Sequence, residues 1–122
     1  SGNIITVIGC GGERDKTKRP LMTKEALKLS HKVIITDDNP RNEDPQVIRK
    51  EMKMELTKNE KKKINEIPNR KKAIQYSISI LKKNDYLLIA GKGHENYQIK
   101  NNKKILHDDR AIAKSIIMQI KK

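Results

Sequence analysis

The sequence has no phenylalanine, no tryptophan and only three tyrosines. Its core must therefore be aliphatic, built from Ile, Leu and Val at about 25 cal/mol per Å² of apolar area removed from water. The same scarcity removes the aromatic platforms on which nucleic-acid bases stack. One cysteine, Cys10, cannot form an internal disulfide, so the expected setting is a reducing cytoplasm. No apolar run approaches the roughly 18 residues of a membrane span, and no secretory leader is legible, so no membrane partner is expected. Cys10 and the three histidines lack metal-ligand spacing, so no metal site is expected either.

Charge is what the chain has in quantity. Twenty-eight Lys and Arg stand against 15 Asp and Glu, a formal net charge of +13. That balance raises an alternative reading, a basic module that binds nucleic acid. The basic residues are mostly Lys and are spread along the whole chain. The densest run, Lys58 to Lys63, also holds Asn59 and Glu60. Lys, Ile and Asn are abundant together, as AT-rich coding DNA would produce, and no specific nucleic-acid partner is expected.

Strands alternate with helices along the chain. Ile4 to Ile8 is a β-branched strand that runs into the turn Gly9-Cys10-Gly11-Gly12. Glu13 to Pro20 reads as loop, with Pro20 fit for a first helical turn, and Leu21 to Leu29 as a helix with Leu21, Ala26 and Leu29 roughly on one face. Lys32 to Thr36 is a second strand, stopped by Asp37-Asp38-Asn39-Pro40. Asp44 caps a helix with Pro45 in its first position, reaching about Leu56. Lys61 to Ile67 holds a short strand. Asn69 caps a helix from Arg70 to Lys83 that buries Ala73, Ile74, Ile78 and Leu81. Tyr86 to Ala90 is a third apolar strand, followed by Gly91-Lys92-Gly93-His94-Glu95. Tyr97 to Ile99 and Lys103 to Leu106 form a hairpin around Asn101-Asn102, with a type I′ turn expected. Asp108 or Asp109 caps a last helix facing inward through Ile112, Ile116 or Ile117, and Ile120. The fold class is α/β: a Rossmann-like, mostly parallel sheet with helices on both faces.

In such sheets ligands bind beyond the carboxyl ends of the strands. Three strands end in charged, Gly- or Pro-punctuated loops: Gly9 to Arg19, Asp37 to Arg41 and Gly91 to Glu95. None is a known phosphate cradle. Gly9 to Gly12 has the wrong spacing for a dinucleotide fingerprint, and Gly91-Lys92-Gly93 lacks both the upstream glycine and the following Ser or Thr of a P-loop. Taken singly, Arg41 is an ordinary exposed side chain, Asp38 and Asn39 shape a turn, Glu95 is solvated surface and His94 holds its loop. Asn69 with Arg70, and Asp108 or Asp109, are helix-cap residues.

Taken together, the motifs resemble the Mur ligase family. They are Gly9-Cys10-Gly11-Gly12-Glu13-Arg14-Asp15-Lys16, Lys18-Arg19-Pro20-Leu21-Met22, Thr36 to Arg41 with Glu43-Asp44-Pro45, Asn69 to Ile74, Ala90 to Gln98, and Asp108-Asp109-Arg110. They run in register over essentially the whole chain, and resemble the last domain of the branch that adds the third residue of the peptidoglycan stem peptide. Glu13 stands where Asp is more usual, and Ala111 where Glu is common. The resemblance implies an ATP-dependent ligase that joins meso-diaminopimelate to UDP-N-acetylmuramoyl-L-alanyl-D-glutamate through an acyl phosphate. It implies an amino-acid site made of Arg14, Asp38, Asn39, Arg41, Gly91 and Glu95. Asp38-Asn39-Pro40-Arg41 would be the motif that marks meso-diaminopimelate enzymes. The expected partners are the two small-molecule substrates and the rest of the ligase chain. ATP and Mg²⁺ would be bound mainly by a central domain not present here. Residues 1–122 would be one terminal domain lacking its first strand–helix unit, unable to ligate alone. A further alternative is a non-catalytic remnant that keeps the fold.

Charge complementarity agrees with the implied site. Meso-diaminopimelate carries a carboxylate beside its distal ammonium where lysine has none. Arg41 offers a planar fork for that carboxylate, Glu95 an anion for the ammonium, and Arg14 a second cation that stacks on or pairs with the substrate. Gly91 would let backbone approach closely. Lysine would leave Arg41 desolvated and unpaired, at roughly 1–3 kcal/mol or more.

Overall fold

In the computed structural model, residues 3–12, 16–82, 85–89, 97–100 and 103–106 are described, the last two stretches as backbone only. The elements are β1 (Ile4–Ile8), α1 (Lys18–Leu29), β2 (Lys32–Ile35), α2 (Pro45–Met52), α3 (Lys58–Lys62), β3 (Ile64–Glu66), α4 (Arg70–Ser79), β4 (Tyr86–Ile89), β5 (Tyr97–Lys100) and β6 (Lys103–Leu106). Four strands form a sheet in the order β3-β2-β1-β4, and every pairing in it is parallel. β5 and β6 pair antiparallel, Tyr97 with Leu106 and Lys100 with Lys103. The α/β class expected from the alternation of strands and helices is the class observed.

The period-2 alternation of the strands divides the core between two faces. Ile8, Val33 and Ile35 point to one face, where they meet Leu27 of α1, Ile48 and Met52 of α2, and Leu56. Ile5, Val7 and Ile34 point to the other, against Ala73 of α4, with Tyr76 and Leu87 packed alongside. Val7, Val33, Ile34 and Ile35 are each 0% exposed, so β1 and β2 are the buried centre.

Apolar pattern and burial part company in two elements. The inner face of α1 is Arg19, Thr23 and Leu27, spaced i, i+4, i+8, while Leu21 and Leu29 are 56% and 68% exposed. Those two leucines line an open apolar cavity of about 430 Å³ with Met22, Ala26 and Leu88. The other element is β4. It is an edge among the described residues, and its Tyr86 and Leu88 are exposed rather than central. Apolar composition alone does not say which of several apolar strands takes the middle of a sheet.

Element boundaries differ where local hydrogen bonding overrides pattern. α1 begins at Lys18, placing Pro20 in its first turn, where proline lacks no needed donor. α2 begins as expected, with Asp44 Oδ1 accepting from Gln46 N at 2.9 Å and Pro45 at the first position, but it ends at Met52. α3 was not expected. A reciprocal cap starts it: Thr57 Oγ1 accepts from Glu60 N, and Glu60 Oε1 accepts from Thr57 N. The Thr57-x-x-Glu60 pattern was its signal, hidden in a lysine-rich stretch. α4 starts at the expected Asn69 cap, buries Ala73, Ile74 and Ile78, and stops at Ser79 rather than Lys83. The hairpin pairs as expected. Its turn at Asn101-Asn102 and the last helix lie outside the described residues.

Candidate functional site

Parallel pairing sends β1, β2 and β4 out at one edge of the sheet. The register puts Ile8 beside Ile35, and Val7 beside Ile89. Thr36 N donates to Ile8 O at 2.9 Å, so the loops after β1 and β2 leave side by side.

Those two loops are in direct backbone contact. Gly12 N donates to Asn39 O at 2.8 Å. A Cβ on Gly12 would lie 1.8 Å from Pro40 O, and one on Gly9 would lie 2.8 Å from Thr36 O and 2.9 Å from Asp38 Cβ. Only glycine permits this approach at either position. Gly9 and Gly12 are therefore spent on packing against the Thr36 to Pro40 segment. Among the described residues there is also no group of three acidic, His or Cys side chains able to hold a metal ion.

Asn39 and Pro40 are buried, Asp38 and Arg41 partly so. Arg41 has φ 53°, a left-handed conformation uncommon for a residue with a Cβ. That turn swings its side chain back across the first loop. Arg41 Nη1 donates to Gly12 O at 2.7 Å and, more weakly, to Asn39 O at 3.4 Å. Nε and Nη2 make no hydrogen bond among the described residues, which leaves one side-on edge of the guanidinium for an incoming carboxylate. Of the sequence-predicted residues, Asp38, Asn39 and Arg41 are thus brought to the expected edge. Arg14, Gly91 and Glu95 lie outside the described residues; Ile89, the last described residue before Gly91, ends at that same edge.

Three buried arginines hold the second loop from below, and sequence reasoning gave none of them this role. Arg19, on α1, is 2% exposed and donates to both carboxylate oxygens of Glu43 at 2.8 and 3.0 Å. It also reaches Glu51 on α2 at 2.9 Å and Gly11 O at 3.1 Å. Its hydrogen bonds to Glu43 raise the guanidinium pKa above the ordinary arginine range, burial opposes them, and Glu51 adds to the rise. Arg49, on α2, bridges Asp37 and Glu66, which also accepts from Lys53. Burial of Glu66 opposes ionisation, but hydrogen bonds from Lys53 and Arg49 outweigh it and hold the carboxyl below its ordinary pKa of 4.5. Arg70, at the start of α4, donates to Asp37 O at 3.1 Å, and Asp37 N in turn donates to Pro68 O at 3.2 Å. Arg19, Glu43 and Arg70 stand inside the family motifs, but nothing in a motif tells a buried arginine from an exposed one.

The cysteine of the first loop plays no visible chemical part. Cys10 is buried, 3.5 Å from Met22 Sδ, and burial pushes its thiol up to about 11. It stays protonated and unreactive at neutral pH.

Comparison with known proteins shows what the chain is similar to. The profile of the family described as "Mur ligase, glutamate ligase domain" matches residues 1–93. A Rickettsia felis protein named UDP-N-acetylmuramoyl-L-alanyl-D-glutamate--2,6-diaminopimelate ligase is 55% identical over 114 residues, covering 93% of this chain and 21% of that protein. A protein of the same name from Phocaeicola vulgatus is 50% identical over 115 residues, covering 94% of this chain and 24% of its own. A solved structure titled as that ligase superposes with a TM-score of 0.93 at 41% identity, over 100% of this chain and 25% of its own. The chain thus spans between a fifth and a quarter of the length of these relatives.

Proposed function

The chain belongs to the Mur ligase family, and on that premise we propose that it is the amino-acid-binding part of a longer ligase joining meso-diaminopimelate to UDP-N-acetylmuramoyl-L-alanyl-D-glutamate. The observation that carries this reading is Arg41. It is turned back at φ 53°, tethered through Nη1 to Gly12 O, and offers Nε and Nη2 at the carboxyl edge of a parallel sheet. A carboxylate bound there by two charge-assisted hydrogen bonds is the group that separates meso-diaminopimelate from lysine. Asp38 and Asn39 contribute from the same turn, and Arg14, Gly91 and Glu95 complete the site, Glu95 taking the ammonium.

In the ligation step the amino acid presents its amine to an acyl phosphate of the muramyl dipeptide. The carbon–nitrogen bond forms as phosphate leaves, and the amine loses a proton. This chain holds and orients the amino acid, converting a bimolecular attack into a positioned one. ATP supplies the activation, and ATP and Mg²⁺ are held mainly by other parts of the ligase. The ligase works in the cytoplasm, where ATP and the uridine-linked precursor are found. Among the described residues no helix is long and apolar enough to cross a membrane.

The test is a nuclear magnetic resonance titration of the 122-residue chain. Saturable shifts with meso-diaminopimelate, absent with L-lysine and lost in Arg41→Ala, are expected. Equal responses to the two amino acids would remove the assignment of Arg41 to the distal carboxylate.

A further inference from the structure

We propose that Arg19 is a positioning residue for amino-acid specificity, whose buried guanidinium locks the Gly9–Gly12 loop and the Arg41 loop into one unit and so fixes the direction of the Arg41 fork. The proposal rests on the reading of Arg41 as the carboxylate anchor.

Arg19 touches both loops that bear on Arg41, by two separate routes. On one side it donates to Gly11 O, and the next carbonyl along the chain, Gly12 O, is the one that accepts from Arg41 Nη1. On the other side it grips both oxygens of Glu43, two residues past Arg41, and Glu43 N donates to Pro40 O at 3.0 Å, one residue before it. A third contact, to Glu51, ties the assembly to α2, a helix packed on the core through Ile48 and Met52. Stability alone is a poor reason for such a cluster. Desolvation offsets most of the attraction in a buried ion pair, and an apolar group of like volume often serves the fold as well. An apolar group would hold neither Gly11 O nor Glu43. Lysine would not replace Arg19 either, because a single ammonium on a flexible stem cannot serve a carbonyl and two carboxylates in three directions at once. Without the clamp, the close contact of Gly12 with Pro40 loses its outer support, and Arg41 loses the fixed acceptor that aims its fork.

Steady-state kinetics of the full-length ligase test this, using wild type, Arg19→Lys, Glu43→Gln, Arg41→Ala and Arg19→Lys/Arg41→Ala. We expect Arg19→Lys and Glu43→Gln each to lower kcat/KM for meso-diaminopimelate about 10-fold or more, with KM for ATP and for the UDP-linked muramyl dipeptide moving less than about 3-fold. In the Arg41→Ala background, Arg19→Lys should change kcat/KM by less than about 2-fold, because the residue it positions is gone. The full effect of Arg19→Lys persisting in that background would overturn the proposal, as would equal losses for all three substrates. If Arg19→Lys does not fold, Glu43→Gln alone and in the Arg41→Ala background gives the same decision. An Arg41→Ala enzyme with unchanged kcat/KM would sink the underlying reading too. An impaired Arg41→Ala enzyme with Arg19→Lys and Glu43→Gln unaffected would sink only the role of Arg19.

Discussion

Arg41 carries backbone strain that its side chain needs. At φ 53° the Cβ crowds the chain, and relief of that crowding is worth about 1 kcal/mol when glycine takes the position. Arg41→Ala removes the hydrogen bond to Gly12 O and keeps the strain; Arg41→Gly removes both. We expect Arg41→Gly to be more stable than Arg41→Ala by about 1 kcal/mol in urea denaturation, with neither variant binding meso-diaminopimelate. Alanine unfolding later than glycine would mean that the backbone is not strained there. Gly12 is the other tight position. A methyl group 1.8 Å from Pro40 O must push the two loops apart. Gly12→Ala should destabilise the chain by about 3 kcal/mol, near the upper end for overpacking, and weaken amino-acid binding with it. Both residues were named in the sequence, one as an anchor and one as part of a turn. That they touch through Arg41 Nη1 and Gly12 O was not legible, because 29 positions separate them and only the sheet brings them together.

At the scale of elements, the caps of α2 and α4 were legible, while the cap of α3 and the buried face of α1 were not. Asp44 and Asn69 cap α2 and α4 through contacts two and three residues long, which a sequence reports directly. The buried face of α1 was not legible for the opposite reason. A buried arginine at position 19 sets it, and its three acceptors come from the first loop, the second loop and α2. The charged frame also has a pH signature. Glu66 has its folded-state pKa held below 4.5, although burial alone would raise it, because Lys53 and Arg49 donate to it. The unfolded chain therefore binds a proton there first as pH falls. Its contribution is present above about pH 4.5 and is lost as pH drops through the folded value. Urea midpoints measured from pH 6 down to about 3 should fall, and Glu66→Gln should flatten that fall. An unchanged slope in Glu66→Gln would assign the acid sensitivity to other carboxylates; among the described residues Glu60 and Asp85 are also held low, each chiefly by backbone N–H groups.

At the scale of the whole molecule, the net charge of +13 is the feature most open to misreading. Some of its lysines are paired with carboxylates, Lys24 with Glu60, Lys28 with Glu25 and Lys53 with Glu66. Surface pairs of this kind carry little energy, and the basic residues are spread along the whole sequence rather than gathered in one run. Retention on DNA should be confined to low salt and lost at about 0.15 M, as for scattered, sequence-independent contacts. Retention that survives that salt would favour the nucleic-acid module over the ligase part.

The sequence by itself determined the α/β class, the order of strands and helices apart from α3, the caps of α2 and α4, and the identity of the loops that carry charge. These follow from period, turn chemistry and contacts a few residues long. Only the tertiary structure decided that, among the described residues, β1 and β2 are the centre of the sheet and β4 an edge, that Leu21 and Leu29 line an open cavity, and that Arg19 is buried between two carboxylates. It also decided that Arg41 turns back onto Gly12. Each of these depends on groups far apart in the chain meeting at one place, and the energy of such a meeting is a property of the pair, not of either residue alone.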